Sequence, residues 1–196
     1  PIKPNKRGNI KLIKPGKKDA SLEIKYKDIS NDKPISTVIS RQDKIITFVN
    51  RNLEPYRGYH SFMRALPTIQ KTHPDAFILI IGGDQVSYGS IHPSGDSYKN
   101  VFLNEVKDSL IDTSKLIFLG KVDYNIFLNI MDLSSVHIYL TYPFVLSWSM
   151  LEVMALEKVV VGSKTKPVEE VIIDNENGLL VDFFDTVEIA NKVISV

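Results

Sequence analysis

From Ile45 onward, short apolar runs alternate with stretches of helical spacing, and this alternation constrains the fold more than any other feature of the sequence. Each run has the length of a strand and is nearly continuous in apolar residues. Such runs suit strands that are buried on both faces, as in a parallel sheet covered by helices on each side. The alternation therefore predicts an α/β fold of three layers with a mainly parallel sheet.

The predicted elements follow one another as repeated βα units. Strands are expected at residues 45–50, 77–82, 116–120, 136–141, 158–162 and 179–181. Helices are expected at residues 59–72, 100–110, 124–133, 147–156, 167–173 and 186–194. Asp123 and Asp185 precede two of these helices as N-caps, and Pro167 opens another, where a missing N–H is harmless. Residues 84–99 form a long loop of the kind that often carries function.

The opening forty residues differ from the rest of the chain. Residues 21–27 alternate apolar with polar side chains, which predicts an exposed or edge strand. We therefore divide the chain into residues 1–40, a linker and peripheral strand segment that decorates the main sheet, and residues 41–196, the α/β domain. Residues 1–50 carry a charge of +7 and the remainder −6. The basic start is either an electrostatic patch for a partner or a solvated linker with lysine-protected strand edges.

Composition excludes several classes of protein. The chain has no cysteine, which excludes disulfides, thiolate metal sites and a cysteine nucleophile and is compatible with a reducing compartment. We expect a cytoplasmic protein without a transmembrane segment, because the apolar runs are far shorter than the roughly 20 residues of a membrane helix. A net charge of +1 gives no reason to expect a nucleic-acid partner. The first residue, Pro1, suggests a processed or excised piece.

Common catalytic motifs are missing from the sequence. It contains no GxxxxGK[ST], GxGxxG, HExxH or GxSxG. The four histidines have no ligand spacing, and His137, in an apolar strand, is interpreted as a packed and hydrogen-bonded residue. Residues 174–176 are acidic but precede Asn177 and Gly178, so they predict a turn. No metal site is expected.

Two segments can bind an anion. Residues 50–58 follow a strand, and the carboxyl ends of strands are where open α/β sheets bind ligands. Arg51 and Arg57 suit a phosphorylated ligand there, and Gly58 allows close backbone approach, although loop arginines are also common as surface charges. A helix start near Ser147 or Ser149 offers free N–H groups and a positive dipole end. Glu152 follows within about a turn of this helix start. It either accepts two hydrogen bonds from a diol such as ribose or is an acid in the first turn of the helix.

Several motifs together resemble one enzyme family. The sequence contains, in this order, FVNRNLEPYRGYHSFMRALP, ILIIGGD, IFLGKV and SWSMLEVMALEKVVVGSKTKPVEEVIIDNENGLLVDFFD. In order and spacing, these four segments are similar to the C-terminal domain of retaining glycosyltransferases of family 4. These group-1 glycosyltransferases have two Rossmann-like domains, and the resemblance covers roughly residues 40 to 196. It implies a Rossmann-like fold that binds a nucleotide sugar, in an enzyme of the hexosyltransferase type that acts in polysaccharide biosynthesis.

The resemblance assigns roles to individual residues. Arg51 and Arg57 would contact the donor diphosphate and act catalytically, although the family usually has Lys at the second position. The remaining assigned residues bind substrate: the helix start at Ser147, Trp148 and Ser149 would contact the diphosphate, Glu152 would hold the ribose, and Gly120 would lie near the base. No cofactor or metal is implied.

One position departs from the family pattern. The family's E-x7-E motif places a glutamate that contacts the donor sugar eight residues before Glu152, and this chain has Phe144 there. Either the sugar is handled differently, or the site binds a nucleotide with altered chemistry. Glu170 also fits a family position, and its expected place is near a helix start.

The implied enzyme transfers a sugar from a nucleotide sugar to an acceptor hydroxyl with retention. Its acceptor-binding N-terminal domain is not in this chain, so we expect no transfer by this piece alone. Alternatives are a non-catalytic nucleotide-binding or assembly module of the same fold and a related epimerase or phosphorylase. Tyr88, His92 and Asp96 in the long loop either shape the choice of substrate or are surface decoration.

Overall fold

Residues 9–14, 20–142 and 145–196 are described in the computed structural model of the protein. In these residues, nine strands form two sheets. A small antiparallel sheet comprises β1 (Asn9–Lys14), β2 (Ser21–Lys27) and β3 (Pro34–Ser40), in that order. The main sheet comprises β4 (Ile45–Asn52), β5 (Phe77–Gly83), β6 (Leu116–Gly120), β7 (Val136–Tyr139), β8 (Val159–Ser163) and β9 (Leu179–Val181).

Every pair of neighbours in the main sheet is parallel, and the strand order is β6-β5-β4-β7-β8-β9. The six predicted strands are all present, because each apolar run is covered on both faces as expected. Their helices are α1 (Tyr59–Thr72), α2 (Tyr98–Val106), α3 (Tyr124–Leu133), α4 (Trp148–Ala155), α5 (Lys166–Glu169) and α6 (Thr186–Ile194). The prediction of an α/β fold with a Rossmann-like, mainly parallel sheet is confirmed.

Two apolar cores separate the sheet from its helix layers. Alternate residues of one strand enter different cores: Phe48 of β4 packs with α1, α2 and α6, whereas Val49 packs with α3, α4 and α5. This alternation is the period-2 geometry of a strand covered on both sides. None of the described helices has the length and apolar character that crossing a membrane requires.

The small sheet corrects the expectation for the opening segment. β2 is the central strand of this sheet and not an exposed or edge strand, since β1 and β3 pair with its two sides. Leu22 and Ile24 of β2 are fully buried in the core that also contains α3, and the Tyr26 hydroxyl donates to the Ser114 carbonyl at 2.6 Å. The segment therefore forms a separate antiparallel sheet that packs against the core of the main domain. The division of the chain at residue 40 stays a prediction.

The predicted helix at residues 167–173 is shorter than expected. α5 ends at Glu169, and Glu170 is its C-cap, so the expectation that Glu170 lies near a helix start was wrong. The reason is the side chain of Asn177, which accepts a hydrogen bond from the Ile173 N–H and donates one to the Val171 carbonyl. These bonds replace helical bonds with a turn, as residues 174–176 predicted.

The topology determines where ligands can bind. From β4 the chain proceeds outward to β5 and β6, then returns to β7 on the other side of β4 and continues to β8 and β9. In open α/β sheets, the crevice at such a reversal, beyond the carboxyl ends of the strands, is the usual binding site. The loops that follow β4 and β7 border this crevice.

Candidate functional site

The turn that follows β4 packs directly on the turn that follows β7. Residues Pro55–Arg57 form one turn of 3-10 helix, and the Tyr142 N–H donates to the Tyr56 carbonyl at 3.0 Å. Gly58 has a φ of 70°, and a Cβ there would lie 2.2 Å from the Leu140 Cβ. The close approach predicted for Gly58 is therefore to Leu140, the residue after β7, in this structure, so the turn that carries Arg57 packs against the end of that strand.

The guanidinium of Arg57 contacts groups from two other loops, those that follow β7 and β5. Its Nη1 lies 3.4 Å from the Thr141 hydroxyl, and its Cζ is 5.3 Å from the centre of the Tyr88 ring. Burial raises the pKa of the Tyr139 phenol, whereas the Ser147 N–H and the Arg57 charge oppose that rise. Through Thr141, Arg57 contacts the segment that follows β7, two residues beyond Tyr139. Arg51 is exposed on β4, where the register with β5 shifts between Val49 and Asn52.

The start of α4 contacts the end of β7. The Ser147 N–H donates to the Tyr139 hydroxyl at 2.8 Å, two residues before Thr141, which Arg57 contacts. The Ser149 N–H donates to Ser147 Oγ at 3.4 Å, and the two serine hydroxyls are 2.8 Å apart. The expectation of free amides at this helix start is therefore wrong for Ser147 and Ser149. Trp148 is 81% exposed.

Glu152 lies one turn further along α4. The helix begins at Trp148 and has no acid in its first turn, so the interpretation of Glu152 as a first-turn acid is wrong. The hydroxyl of Tyr124 donates to Glu152 Oε1 at 2.8 Å, and this bond raises the pKa of the phenol. Tyr124 is the first residue of α3, four positions after Gly120, which ends β6 with a φ of 65°.

Sequence reasoning missed Tyr124 and Glu54. Tyr124 only marked the beginning of a predicted helix, and its contact to Glu152 spans 28 residues. Glu54 is a buried carboxylate in the loop after β4, and its Oε2 accepts hydrogen bonds from the Ser87 and Tyr88 N–H groups. An acid immediately before Pro55 was the available signal for it.

The long loop after β5 divides into two parts. Tyr88 contacts Arg57, whereas His92 and Asp96 form hydrogen bonds to groups within the loop and at the start of α2. His92 and Asp96 are thus cap and turn residues in this structure. The loop ends at Ser97, whose hydroxyl accepts a hydrogen bond from the Asn100 N–H as the N-cap of α2.

Two cavities lie at opposite edges of the sheet. A cavity of about 210 Å³ adjoins the Arg57 turn and is lined by Pro55, Tyr56, His60, Tyr142, Phe183 and Phe184. A wider cavity of about 700 Å³ lies at the amino ends of β8 and β9, whereas the crevice lies at the carboxyl ends of the strands. We locate the site at the crevice, because the charged groups and the helix start are there.

Three sequence expectations concern groups beyond this geometry. Phe144, which stands where the family pattern has a glutamate, lies outside the described residues. Within the described part of the chain, no group of three His, Asp or Glu side chains is placed to hold a metal ion. His137 is fully buried, its ring Nδ1 lies 2.9 Å from the Thr47 hydroxyl, and burial lowers its pKa to about 3, which confirms a packed role.

Sequence comparison finds relatives over most of the chain. Residues 30–196 match the family described as Glycosyl transferases group 1. The uncharacterised glycosyltransferase MJ1069 of Methanocaldococcus jannaschii is 29% identical over 175 residues, which make up 88% of this chain and 41% of that protein. The chain therefore spans less than half the length of this curated relative.

Solved structures share the fold. The C-terminal domain of LpcC, a group 1 family glycosyl transferase of Francisella tularensis, matches with a TM-score of 0.63 at 24% identity, over 77% of this chain and 74% of that one. Sucrose-phosphate synthase of Thermosynechococcus elongatus matches with a TM-score of 0.63 at 19% identity, over 79% of this chain and 36% of that chain. Anabaena Alr3699/HepE in complex with UDP and glucose matches with a TM-score of 0.60 at 18% identity, over 80% of this chain and 39% of that chain.

Proposed function

The chain belongs to the group 1 glycosyltransferases, and we propose that it is the donor-binding domain of a retaining enzyme that transfers a sugar from a nucleotide sugar to an acceptor hydroxyl. One observation carries the proposal. Arg57 and the N-cap of α4 both contact the end of β7 and the residues after it, in the crevice between β4 and β7: Arg57 Nη1 lies 3.4 Å from the Thr141 hydroxyl, and the Ser147 N–H donates to the Tyr139 hydroxyl. A guanidinium and a helix N-terminus on one side of a crevice suit a diphosphate.

The chemistry assigned to this site is stabilisation of the leaving group. When the bond between the anomeric carbon and the phosphate oxygen breaks, negative charge grows on the diphosphate. Arg57, with Arg51 at the same edge of the sheet, would stabilise that charge in a preorganised position. The acceptor oxygen then bonds to the anomeric carbon, and its proton leaves with the diphosphate. We assign no metal to this step, since arginines supply the positive charge.

Other substrate contacts follow from the resemblance. Glu152 would accept hydrogen bonds from the ribose, and Gly120 would lie near the base. The start of α4 at Ser147, Trp148 and Ser149 would contact the diphosphate, through the serine hydroxyls or through amides that exchange their present partners. A neighbour in fold was solved with UDP and glucose, which makes UDP the first nucleotide to test.

Transfer itself is assigned to a longer protein. The chain spans 41% of the length of its curated relative, so we propose that residues outside this chain bind the acceptor. The sugar would be a hexose. For the chain itself, the property to measure is therefore nucleotide binding.

The test uses the single tryptophan, Trp148, which begins α4. Titration of the chain with UDP, GDP and ADP, followed by Trp148 fluorescence and by calorimetry, should show binding of at least one of them in the presence of EDTA. Arg57→Ala should weaken it about tenfold to hundredfold, the range of a hydrogen bond to a charged group. Lys71→Ala removes an exposed charge at the other end of α1 and should leave the affinity unchanged.

A non-catalytic module of the same fold is the second candidate, and Phe144 at the position of the family's sugar-contacting glutamate favours it. The two candidates differ in their ligands. No binding of any of the three nucleotides, or binding that is indifferent to Arg51→Ala, Arg57→Ala and Glu152→Ala, would contradict the donor-binding role and leave the module.

A further inference from the structure

The tip of the loop after β5 is fastened to the turn that carries Arg57. The Asn52 side-chain N–H donates to the Ser87 hydroxyl at 2.6 Å, and the Ser87 and Tyr88 N–H groups donate to Glu54 Oε2 at 2.9 and 3.0 Å. Gly89, with a φ of 86°, passes so close to Tyr56 that a Cβ would lie 3.2 Å from its ring. Three consecutive loop residues therefore contact the end of β4, the residue before the turn and the turn itself.

The carboxylate of Glu54 is the centre of this junction. Its side chain is fully buried, and its Oε1 is a buried oxygen without a hydrogen-bond partner among the residues that the structure describes. Burying a carboxylate is costly, and a buried acceptor without a donor adds to that cost. A neutral residue would fill the same space at lower cost, so stability alone does not explain an acid here. The two backbone bonds that it accepts fix residues 87 and 88 instead.

Glu54 acts on Arg57 from two directions. Its own carbonyl accepts a hydrogen bond from the Arg57 N–H at 3.2 Å, which closes the turn. Its side chain holds the Tyr88 backbone, and the Tyr88 ring lies 5.3 Å from the Arg57 guanidinium, within the range of a cation–π contact. The loop thus covers one side of the guanidinium while Thr141 lies at another.

We propose that Glu54 is a positioning residue that acts through Tyr88 on Arg57 and thereby sets the affinity of the crevice for a diphosphate. The proposal rests on the proposed function for its ligand. It adds that the loop after β5 belongs to the diphosphate site, although its tip lies thirty or more residues after Arg57 in the sequence.

The test compares four variants with the wild-type chain. Glu54→Ala removes both bonds to the loop, and Glu54→Gln keeps an acceptor of the same shape. Tyr88→Ala removes the ring, and Tyr88→Phe keeps it. We expect the two alanine variants to weaken UDP binding about threefold to thirtyfold, the range of a cation–π contact, and the two conservative variants to restore most of the affinity. In an Arg57→Ala background, neither alanine variant should weaken binding further.

A second readout needs no nucleotide. The Tyr88 ring should shift the NMR signal of the Arg57 Nε–H upfield, and this shift should be lost in Glu54→Ala and Tyr88→Ala and kept in Glu54→Gln and Tyr88→Phe. Tyr88 is part-exposed, so Tyr88→Ala keeps the test usable if Glu54→Ala fails to fold.

The outcomes separate the two proposals. Equal losses of affinity in the presence and absence of Arg57 would overturn the positioning role and leave Glu54 a structural residue. An unchanged Arg57 signal in both alanine variants would overturn it as well. Absence of nucleotide binding by the wild-type chain would instead overturn the proposed function and the effect on affinity, while the Arg57 signal still decides whether Glu54 positions the arginine.

Discussion

At the scale of single residues, Tyr124 already donates a hydrogen bond to an oxygen of Glu152, the residue proposed to bind the ribose. A diol binds a carboxylate best through both oxygens, so a ligand must displace the phenol or share Oε1 with it. We expect Tyr124→Phe to strengthen nucleotide binding about twofold to tenfold, the net effect of one hydrogen bond, and Glu152→Gln to weaken it. Calorimetry with UDP and its 2′-deoxy analogue measures both effects.

The matched control for Glu152 is Glu176→Gln, which changes an exposed acid in the turn before β9 and should leave the affinity unchanged. The effect of Tyr124→Phe should also be smaller for the 2′-deoxy nucleotide, because that ligand offers one hydroxyl fewer. Weaker binding by Tyr124→Phe would mean that the phenol orients Glu152 for the ligand and does not compete with it.

His137 gives the protein a pH dependence that is independent of ligands. Complete burial lowers its pKa from 6.5 to about 3, so the folded protein keeps it neutral where the unfolded chain binds a proton. Its contribution to stability is present above pH 6.5 and is lost as the pH falls toward 3, at up to roughly 1.4 kcal/mol per pH unit. Urea unfolding at pH 7, 5 and 4 should show that the free energy of unfolding decreases less with falling pH in His137→Gln than in the wild type. Parallel decreases in the two proteins would contradict this.

At the scale of the element, α4 has a cap that also serves the crevice. Ser147→Ala removes the side chain that accepts a hydrogen bond from the Ser149 N–H and should lower the free energy of unfolding by about 1 kcal/mol. Asp185 caps α6 through the Val187 and Glu188 N–H groups, and Asp185→Ala should cost a similar amount. Only Ser147→Ala should also change nucleotide affinity, as measured by calorimetry beside denaturant unfolding. Equal affinities in the two variants would remove the start of α4 from the site.

Elements were predictable where a local pattern determines them. The strand Leu116–Gly120 and the helices Tyr59–Thr72 and Thr186–Ile194 have the predicted bounds, since their apolar periodicity and their caps lie within one segment of sequence. Elements that depend on distant partners differed. α5 is cut short by a side chain eight residues beyond its last residue, and β2 became a central strand because β1 and β3 pair with it.

The candidate site divides in the same way. Arg57 and Ser147 were predictable because parallel strands bring their carboxyl ends to one edge of the sheet. Tyr139 and Tyr124 were not, because the sequence does not show that one hydroxyl accepts a hydrogen bond from the Ser147 N–H and that the other donates to Glu152. Such contacts arise from the order of the strands and from side-chain directions, neither of which has a local sequence pattern.

At the scale of the whole molecule, the small sheet shares a core with the main domain. Leu22 and Ile24 of β2 belong to the same apolar cluster as Leu79 of the main sheet and Ile130 of α3. The Thr113 hydroxyl also donates to Asp28, beyond the end of β2, at 2.9 Å. The sheet should therefore unfold together with the domain and not as a separate unit.

Leu22→Ala tests this cooperativity. Truncation of a fully buried leucine leaves a cavity and should lower the stability of the whole chain by about 2–5 kcal/mol. Val38→Ala, on the exposed face of β3, is the matched control and should cost well under 1 kcal/mol, because Val38 is 56% exposed. Urea unfolding followed by far-UV circular dichroism and by Trp148 fluorescence should give coincident transitions in all three proteins. An earlier transition seen by circular dichroism alone in Leu22→Ala would mean that the small sheet melts independently, because Trp148 lies on α4, at the carboxyl edge of the main sheet.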